Sequence, residues 1–197
     1  AAAPGAALTW TSQEVESDLP GLASLDIALN ASGQAHIHYP RGIRTAPQQA
    51  TTPPVIARYE GGGNFSFDST GVDQFTFPWV DRFGITPDGA LHVIQYDFKH
   101  TWTVSYRHLL HMERQPIGWK QTVLIENARI ETAALHADRS GGLHVVAVED
   151  DSAAGSLGET VLPVWYLHRR PGAVQWESPV RIGRAGVYPH FGPRVQT

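Results

Sequence analysis

The chain has 197 residues, of which 42% are hydrophobic and only 17% are charged, so it is long enough to bury the core of one domain. Its 19 glycines and 14 prolines are too many helix breakers for a long helical bundle or a coiled coil. The formal net charge of −4 gives no sign of a basic surface, so we expect no nucleic-acid partner. Cysteine is absent, which excludes disulfides, cysteine-based zinc sites and thiol nucleophiles.

The sequence contains no membrane-spanning signal, because no window approaches 18 uninterrupted apolar residues. The first seven residues, Ala-Ala-Ala-Pro-Gly-Ala-Ala, lack the basic and apolar regions of an intact signal peptide, and we predict a linker or a disordered N-terminus there. Small residues of this kind often follow a cleaved signal peptide, which favours a secreted or periplasmic protein. Only Lys99 and Lys120 among the 15 basic residues are lysines, and such an arginine bias is typical of GC-rich bacterial genes.

A short motif recurs three times along the chain. The pattern Gly-x-x-His-(Ile or Val) has its histidine at His36, His92 and His144, which are separated by 56 and 52 residues. A strand-like run and an Asp-, Asn- or Gly-rich turn precede each copy, which is the signature of a β-hairpin. Because the three histidines occupy equivalent places, we expect each to make a structural hydrogen bond to a neighbouring turn and not to bind a metal ion.

A second pair of strands follows each hairpin. The predicted third strands are Val55–Tyr59, Thr103–Leu110 and Val164–His168, and the predicted fourth strands are Asn64–Phe67, Trp119–Ile125 and Val174–Trp176. Four antiparallel strands at a spacing of 52 to 56 residues are typical of β-propeller blades, whereas a β-sandwich lacks so regular a register. The sequence therefore predicts an all-β protein with about three four-stranded antiparallel blades, near residues 24–70, 81–126 and 132–183 of one domain spanning 8–197.

Two strand-like runs are left without a complete blade. They are Leu8–Val15 before the first unit and Val187–Arg194 after the third, and we interpret them as partial blades at the two ends. An unpaired sheet edge promotes aggregation. We therefore expect these runs to pair with each other, with a second copy of the chain, or with the remainder of a longer chain.

The motif Asp-Gly-x-x-His-Val at Asp88–Val93 and the strand pair that carries Tyr166, Arg169 and Trp176 resemble the repeats of sialidase-like (BNR-type) propellers. The resemblance extends over most of residues 8–190. The Asp-box and the Arg-Ile-Pro motif that mark sialidases are not present. What the resemblance implies is a propeller that binds or acts on glycans, as sialidases, polysaccharide lyases and lectins of this architecture do.

The loops that join the second and third strands are predicted to form the ligand-binding end of the domain, because they are longer and more polar than the hairpin turns. The first of these loops carries His38, Tyr39, Arg41 and Arg44. Two nearby arginines suit bidentate binding of a carboxylate, so this loop is a candidate for an acidic sugar. The alternative is a solvated surface loop.

The segment Tyr96–His100, in the corresponding loop of the second unit, is the strongest candidate for catalysis. Tyr96 and His100 can act as acid and base at a sugar carbon, and Asp97 can orient the imidazole. The resemblance implies at most the Tyr/His pair of propeller polysaccharide lyases, and a strand end with ordinary polar residues is the alternative. The further predicted substrate-binding residues are Trp102, Tyr188 and His190.

An acidic triplet, Glu149-Asp150-Asp151, begins a Gly/Ser/Ala-rich loop. Clustered carboxylates suit Ca²⁺, which makes calcium the one candidate in a protein for which we otherwise expect no cofactor. An acidic loop that only keeps the surface hydrated is the alternative.

Two function hypotheses follow from these features. The first is a carbohydrate-binding or carbohydrate-active propeller that holds an acidic glycan at its loop end; as an enzyme it would be a polysaccharide lyase or a glycoside hydrolase. The lack of paired carboxylates at matching loop positions counts against the hydrolase. The second is a noncatalytic propeller module that binds a protein or a glycan.

Overall fold

The computed structural model describes residues 12–16, 25–39, 55–69, 82–100, 105–126, 128, 130–149 and 162–185. For residues 96–100, 105–107, 131 and 185 only the backbone is described. These ranges contain twelve β-strands in three four-stranded antiparallel sheets, and no helix. The prediction of an all-β protein with four-stranded, blade-like sheets is confirmed. Nothing in these ranges has the helical length and apolarity that crossing a bilayer would require.

Each sheet is a meander in which consecutive strands are neighbours. Sheet 1 consists of β1 (Asp26–Leu29), β2 (Ala35–Tyr39), β3 (Val55–Gly61) and β4 (Asn64–Ser69). Sheet 2 consists of β5 (Arg82–Ile85), β6 (Leu91–His100), β7 (Ser105–Arg114) and β8 (Trp119–Ile125). Sheet 3 consists of β9 (Ile130–Ala137), β10 (Leu143–Glu149), β11 (Leu162–Arg169) and β12 (Val180–Ala185).

Two strand boundaries differ from the sequence-based prediction. A loop was expected from Tyr96 onward, but β6 continues to His100, which pairs with Ser105 on β7. No proline interrupts this stretch, so the ladder of backbone hydrogen bonds can continue. The fourth strand of sheet 3 was expected at Val174 but begins at Val180, directly after Pro179, which has no N–H to donate to a ladder.

The predicted partial blades are only partly within the described ranges. Residues 12–15 of the run Leu8–Val15 are described and form no strand. They lie against sheet 1, where Val15 packs beside Tyr39 and Val55. The run Val187–Arg194 lies outside the described residues.

The first hairpin of every sheet closes with the same turn. A glycine amide donates to the carbonyl three residues earlier: Gly33 to Asn30 (2.9 Å), Gly89 to Thr86 (2.8 Å) and Gly141 to Asp138 (3.1 Å). The φ angles of these glycines are 78°, 86° and 90°, in the left-handed region that glycine adopts without steric cost. The hairpin turn predicted before each copy of the histidine motif is confirmed, at Ser32-Gly33, Asp88-Gly89 and Ser140–Gly142.

Replacing Gly89 with alanine is expected to lower the free energy of unfolding by about 1 kcal/mol, because an L-residue is strained at a φ of 86°. The added Cβ would meet no atom within 4 Å, so backbone strain is isolated from steric clash. Gly183 on β12 is the matched control: its Cβ also meets nothing within 4 Å, and its φ lies outside the left-handed region. Urea unfolding should show that Gly183→Ala loses no stability. Equal losses in both variants would contradict the prediction.

The sheets pack face to face in chain order. We call the face turned toward the preceding sheet the back face, and the face turned toward the following sheet the front face. The junction of sheets 1 and 2 encloses Ile56, Phe83, Val93 and Met112. The junction of sheets 2 and 3 encloses a larger cluster that includes Ile94, Leu109, Val145 and Leu167. The first strands lie side by side, β1 beside β5 and β5 beside β9, as in blades around an axis; the three sheets do not close into a ring.

In sheets 2 and 3, an arginine at the end of the third strand binds a carboxylate of the preceding sheet. Arg114 at the end of β7 donates to Asp68 of sheet 1 through Nε (2.6 Å). Arg169 at the end of β11 donates to Glu113 of sheet 2 through a terminal guanidinium nitrogen (2.5 Å). The second pair is the more buried one, since its side chains are 11% and 23% exposed against 31% and 38% for the first pair.

A tryptophan just after each of these arginines makes a second link. Trp119 donates its indole N–H to the carbonyl of Ser69 (3.0 Å), and Trp176 donates to Nδ1 of His111 (3.3 Å). Trp165 packs in the same cluster as Trp176, between sheets 2 and 3. Trp119, Trp165 and Trp176 thus fill space between adjacent sheets.

Candidate functional site

Two residues predicted to bind substrate, His38 and Tyr39, end β2 with buried side chains. The His38 ring stacks on Phe83 of sheet 2, with centroids 6.0 Å apart and planes inclined by 21°. The Tyr39 hydroxyl donates to Oε2 of Glu16 (2.7 Å). Both side chains therefore hold neighbouring elements together. Their predicted contact with a substrate stays a prediction.

The junction of sheets 1 and 2 contains buried polar atoms that are not hydrogen-bonded. Burial, with the charge of Arg82 in the same direction, lowers the pKa of His38 to about 4, so the ring is neutral at neutral pH. Within the described residues, neither Nε2 of His38 nor the side-chain amide of Gln95 has a partner. An unpaired buried polar group costs about 1–3 kcal/mol. These atoms mark a place where an internal water would gain hydrogen bonds.

The other predicted site residues fall mostly outside the described side chains. Tyr96, Asp97 and His100 lie on β6, where only the backbone is described. The residues that lie outside the described ranges are Arg41, Arg44, Trp102, Asp150, Asp151, Tyr188 and His190. Their roles stay predictions.

One member of the predicted calcium triplet is described. Glu149 ends β10, and its Oε2 accepts a hydrogen bond from the indole N–H of Trp165 on β11 (2.7 Å). This contact engages one carboxylate oxygen in holding two strands of sheet 3 together. The calcium site as a whole stays a prediction.

A cleft of about 500 Å³ opens between sheets 2 and 3, at the end that carries the first hairpin turns. This is the end opposite to the loops that the sequence analysis favoured. Sheet 2 contributes the turn between β5 and β6 and the end of the β7–β8 hairpin, and sheet 3 contributes residues 140–141, 169 and 172–174. The charged side chains of the lining are Asp88, Glu113, Lys120 and Arg169.

Glu113 forms one fixed acidic point of this cleft. Its Oε2 accepts from Arg169, and its Oε1 accepts from the side-chain amide of Gln115 (3.2 Å). Burial alone would raise the pKa of Glu113, but the hydrogen bond and charge of Arg169 outweigh it and hold that pKa below its usual value. Glu113 is therefore a carboxylate with both oxygens engaged.

Asp88 is the second acidic point. The Thr86 hydroxyl donates to its Oδ1 (2.6 Å) and is the main reason why the pKa of Asp88 lies below its usual value. Lys120, at the start of β8, has no ion-pair partner within the described part of the chain. It lies opposite Glu113 in the β7–β8 register, and its ammonium helps to hold the pKa of that carboxyl below its usual value. With Asp88 and Glu113 against Lys120 and Arg169, the formal charges of the cleft balance.

The wall of the cleft contains a directed chain of hydrogen bonds. The indole N–H of Trp176 can only donate, so Nδ1 of His111 accepts and the proton of His111 is on Nε2. His111 Nε2 donates to Nδ1 of His92 (3.1 Å), and His92 Nε2 donates to the Thr86 hydroxyl (3.3 Å). The Thr86 hydroxyl in turn donates to Asp88. Because the Trp176 indole can only donate and the Asp88 carboxylate can only accept, His92 and His111 must both carry their proton on Nε2.

Both imidazoles of this chain are neutral. Burial lowers the pKa of His92 to about 4, and the charge of Arg169 acts in the same direction. Burial lowers the pKa of His111 to about 2, with His92 and then Arg169 adding to the effect. Each ring has both nitrogens hydrogen-bonded, so neither is poised to exchange a proton near pH 7.

The ligand atoms of His92, His111 and Glu113 lie within 4.8 Å of one another, close enough to surround one metal ion. A metal ion on Nε2 of His111 would move the ring proton to Nδ1, where it would face the indole N–H of Trp176, donor against donor. Metal-bound histidines normally donate their second N–H to an acceptor. Because Arg169 also pairs with Glu113, these residues do not fit a metal ion.

The equivalent chain in sheet 3 runs in the same direction. The Tyr166 hydroxyl donates to Nδ1 of His144 (2.6 Å), and His144 Nε2 donates to Asp138 of the preceding turn (2.9 Å). In sheet 1, Nδ1 of His36 lies 3.3 Å from the carbonyl of Gln34, at the end of its turn. The predicted structural bond from each repeated histidine to a neighbouring turn is confirmed.

Sequence reasoning missed the residues that converge on the cleft. Glu113 and Arg169 are 56 residues apart, and His111 and Trp176 are 65 residues apart. The one available signal was the repeat itself, because Arg114 and Arg169 both end a third strand. No model of a known protein family matches the chain, and no curated protein matches its sequence.

Proposed function

We propose that this protein is a carbohydrate-binding module of propeller type, which holds an acidic saccharide in the cleft between sheets 2 and 3. The observation that carries the proposal is the array of oriented polar groups around a cleft of about 500 Å³, among them the ammonium of Lys120, which makes no ion pair within the described residues. The likeness of the repeats to sialidase-like propellers is in keeping with a glycan ligand.

The lining has the chemistry that sugar hydroxyls require. Each hydroxyl both donates and accepts, so a saccharide site needs fixed donors beside fixed acceptors. Asp88 is held in place by Thr86, and Glu113 by Arg169 and Gln115, so both acceptors are ordered before a ligand arrives. Pre-organisation of this kind lowers the entropic cost of binding.

The cleft favours binding over catalysis. A general acid or base needs a pKa near the working pH, but the carboxylates of Asp88 and Glu113 have lowered pKa values. The ring of His92, which lines the cleft, is neutral and hydrogen-bonded on both nitrogens. A lyase reaction by Tyr96 and His100 at the opposite end stays the alternative, which a turnover assay addresses separately.

The test is calorimetric titration with tri-galacturonic acid and, as a neutral probe, galactotriose. Lys120→Gln is expected to weaken binding of the acidic trisaccharide about 5- to 10-fold, in line with one charge-assisted contact, and to leave the neutral probe unchanged. Arg181→Gln on β12 removes a positive charge from an exposed residue away from the cleft and serves as the control.

Two results would overturn the proposal. One is that the wild-type protein binds neither trisaccharide. The other is that Arg41→Gln abolishes binding while Lys120→Gln leaves it unchanged, since the ligand would then lie at the loop end. Product formation by the wild-type protein that His100→Ala abolishes would establish the lyase alternative.

A further inference from the structure

The two junctions between sheets use the same pair of repeat positions. Phe83 on the back face of sheet 2 packs in one cluster with Ala28 of β1, and Leu135 on the back face of sheet 3 lies against Gly84 of β5. Strand register makes these contacts equivalent. Phe83 and Leu135 are paired with the residue after a repeated histidine, and Ala28 and Gly84 with the histidine itself.

The back face of sheet 1 presents this apolar position to solvent. Ile27 is paired with Ile37, the residue after His36, so it is the equivalent of Phe83. Phe83 is only 6% exposed, whereas Ile27 is 62% exposed, and its neighbours Leu25 and Leu29 are 56% and 63% exposed. Residues 12–16 cover only the part of this face near Tyr39 and Val55. A row of large apolar residues on β1 is therefore left in water.

In the two existing junctions, a back face packs on the front face of the preceding sheet. The front face of sheet 3 is the face that could receive another back face in this way. In sheet 2, His92 and His111 are 1% exposed because Trp176 and Arg169 of sheet 3 lie over them. The equivalent side chains of sheet 3 are His144 for His92 and Tyr166 for His111, and both are only partly buried, with His144 15% exposed. The ring of His144 is already ordered, because it stacks on the ring of His168 with centroids 4.7 Å apart and accepts a hydrogen bond from the Tyr166 hydroxyl.

We infer that a second copy of this chain docks here, with the back face of its sheet 1 on the front face of sheet 3. The chain already makes this junction twice, and the two faces that have no neighbouring sheet among the described residues are the two halves of a third. The contact is head-to-tail, so two copies form two such junctions and a ring of six sheets. Ring closure gives both of these faces a neighbouring sheet, and six blades fall within the range of known propellers.

The repeat also specifies which residues meet across the new junction. Leu135 of sheet 3 lies on Gly84 of sheet 2, and the position equivalent to Gly84 in sheet 3 is His136, because both pair with the repeated histidine. Ile27 of one copy is therefore expected to meet His136 of the other. Two copies of Ile27 are expected to stay apart, since back faces do not face each other in a head-to-tail ring.

Sedimentation and light scattering test the assembly. The wild-type chain is expected at about 43 kDa, twice its 21.6 kDa, at micromolar concentration. Ile27→Lys, at a side chain already 62% exposed, is expected to give a folded species of 21.6 kDa, because it would place a charge in the junction. Ile117→Lys, in a turn where the side chain is 95% exposed, is the control and should stay dimeric. A monomeric wild-type chain, or a dimeric Ile27→Lys variant, would overturn the inference.

Cross-linking tests the pairing without depending on a variant that disrupts the fold. The chain has no cysteine of its own, so single cysteines can be placed at will. An equimolar mixture of Ile27→Cys and His136→Cys, treated with a short bis-maleimide, is expected to give a covalent species of about 43 kDa. Ile27→Cys alone should give none. Equal cross-linking of Ile27→Cys with itself would mean a back-to-back dimer and would reject the head-to-tail junction.

Discussion

Acidification from pH 7 to pH 4.5 is expected to unfold this protein, because three buried histidines must stay neutral in the folded state. The pKa values of His38 and His92 are lowered to about 4 and that of His111 to about 2, in each case chiefly by burial. In the unfolded chain each imidazole regains an ordinary pKa of about 6.5. Below pH 6.5 the unfolded chain therefore binds up to three protons that the folded protein does not take up.

The direction and size of the effect follow from proton linkage. Since the folded-state pKa values are depressed, the stability they provide is fully present above about pH 6.5 and is lost as the pH falls toward 4. Three protons correspond to a slope of about 4 kcal/mol per pH unit, and to a total loss of about 8 kcal/mol at pH 4.5. A domain of ordinary stability, about 5–15 kcal/mol, has little or nothing left after such a loss.

Urea unfolding followed by circular dichroism at several pH values between 7.5 and 5 measures this slope. His38→Leu is expected to reduce the slope by one proton, about 1.4 kcal/mol per pH unit. It should cost little at pH 7.5, because Nε2 of His38 has no partner within the described residues. Phe83→Leu is the control: it weakens the same junction without removing a titratable group, so stability should fall and the slope should not. A free energy of unfolding that stays within 1 kcal/mol from pH 7.5 to 5 would contradict the prediction.

Replacing Arg169 with methionine is expected to lower the free energy of unfolding by about 3 kcal/mol, because it leaves Glu113 as an unpaired charge between sheets 2 and 3. The equivalent change at the junction of sheets 1 and 2, Arg114→Met, should cost about 1 kcal/mol or less. Among the described residues, Arg114 makes more hydrogen bonds than Arg169 does, including two to the carbonyls of Gln115 and Gly118. Its pair with Asp68 is more exposed, however, so water can solvate the carboxylate that remains.

The comparison separates burial from the number of contacts. If contact number decided stability, Arg114→Met would be the more harmful change. Adding Glu113→Gln to Arg169→Met is expected to recover part of the loss, since the neutral amide is cheaper to leave unpaired than the carboxylate. Denaturant unfolding of the single and double variants at pH 7.5 provides the measurement. Similar losses from Arg169→Met and Arg114→Met would show that burial does not govern these pairs.

Local features of this protein were readable from its sequence. The hairpin turns at Gly33, Gly89 and Gly141 follow from short-range chemistry. A positive φ favours glycine at these positions. The side chains of Asn30 and Asp138 also accept hydrogen bonds from backbone amides four residues later in the chain. The four-strand period followed from the regular return of the histidine motif. The structural role of the repeated histidines was also predictable, since three equivalent positions imply three equivalent contacts.

The cleft and its charges were decided by the packing of one sheet on the next. Strand pairing inside a sheet depends on neighbouring segments, so a sequence pattern reports it well. The approach of Arg169 to Glu113 and of Trp176 to His111 depends on how sheet 3 sits on sheet 2, and it joins residues 56 and 65 positions apart. Burial at that junction also lowers the pKa values of His92 and His111. The sequence of a single strand does not show how deeply its side chains are buried, so these shifts could not be predicted from it. The sequence by itself therefore determined the blades, and only the tertiary structure decided which of their polar residues meet.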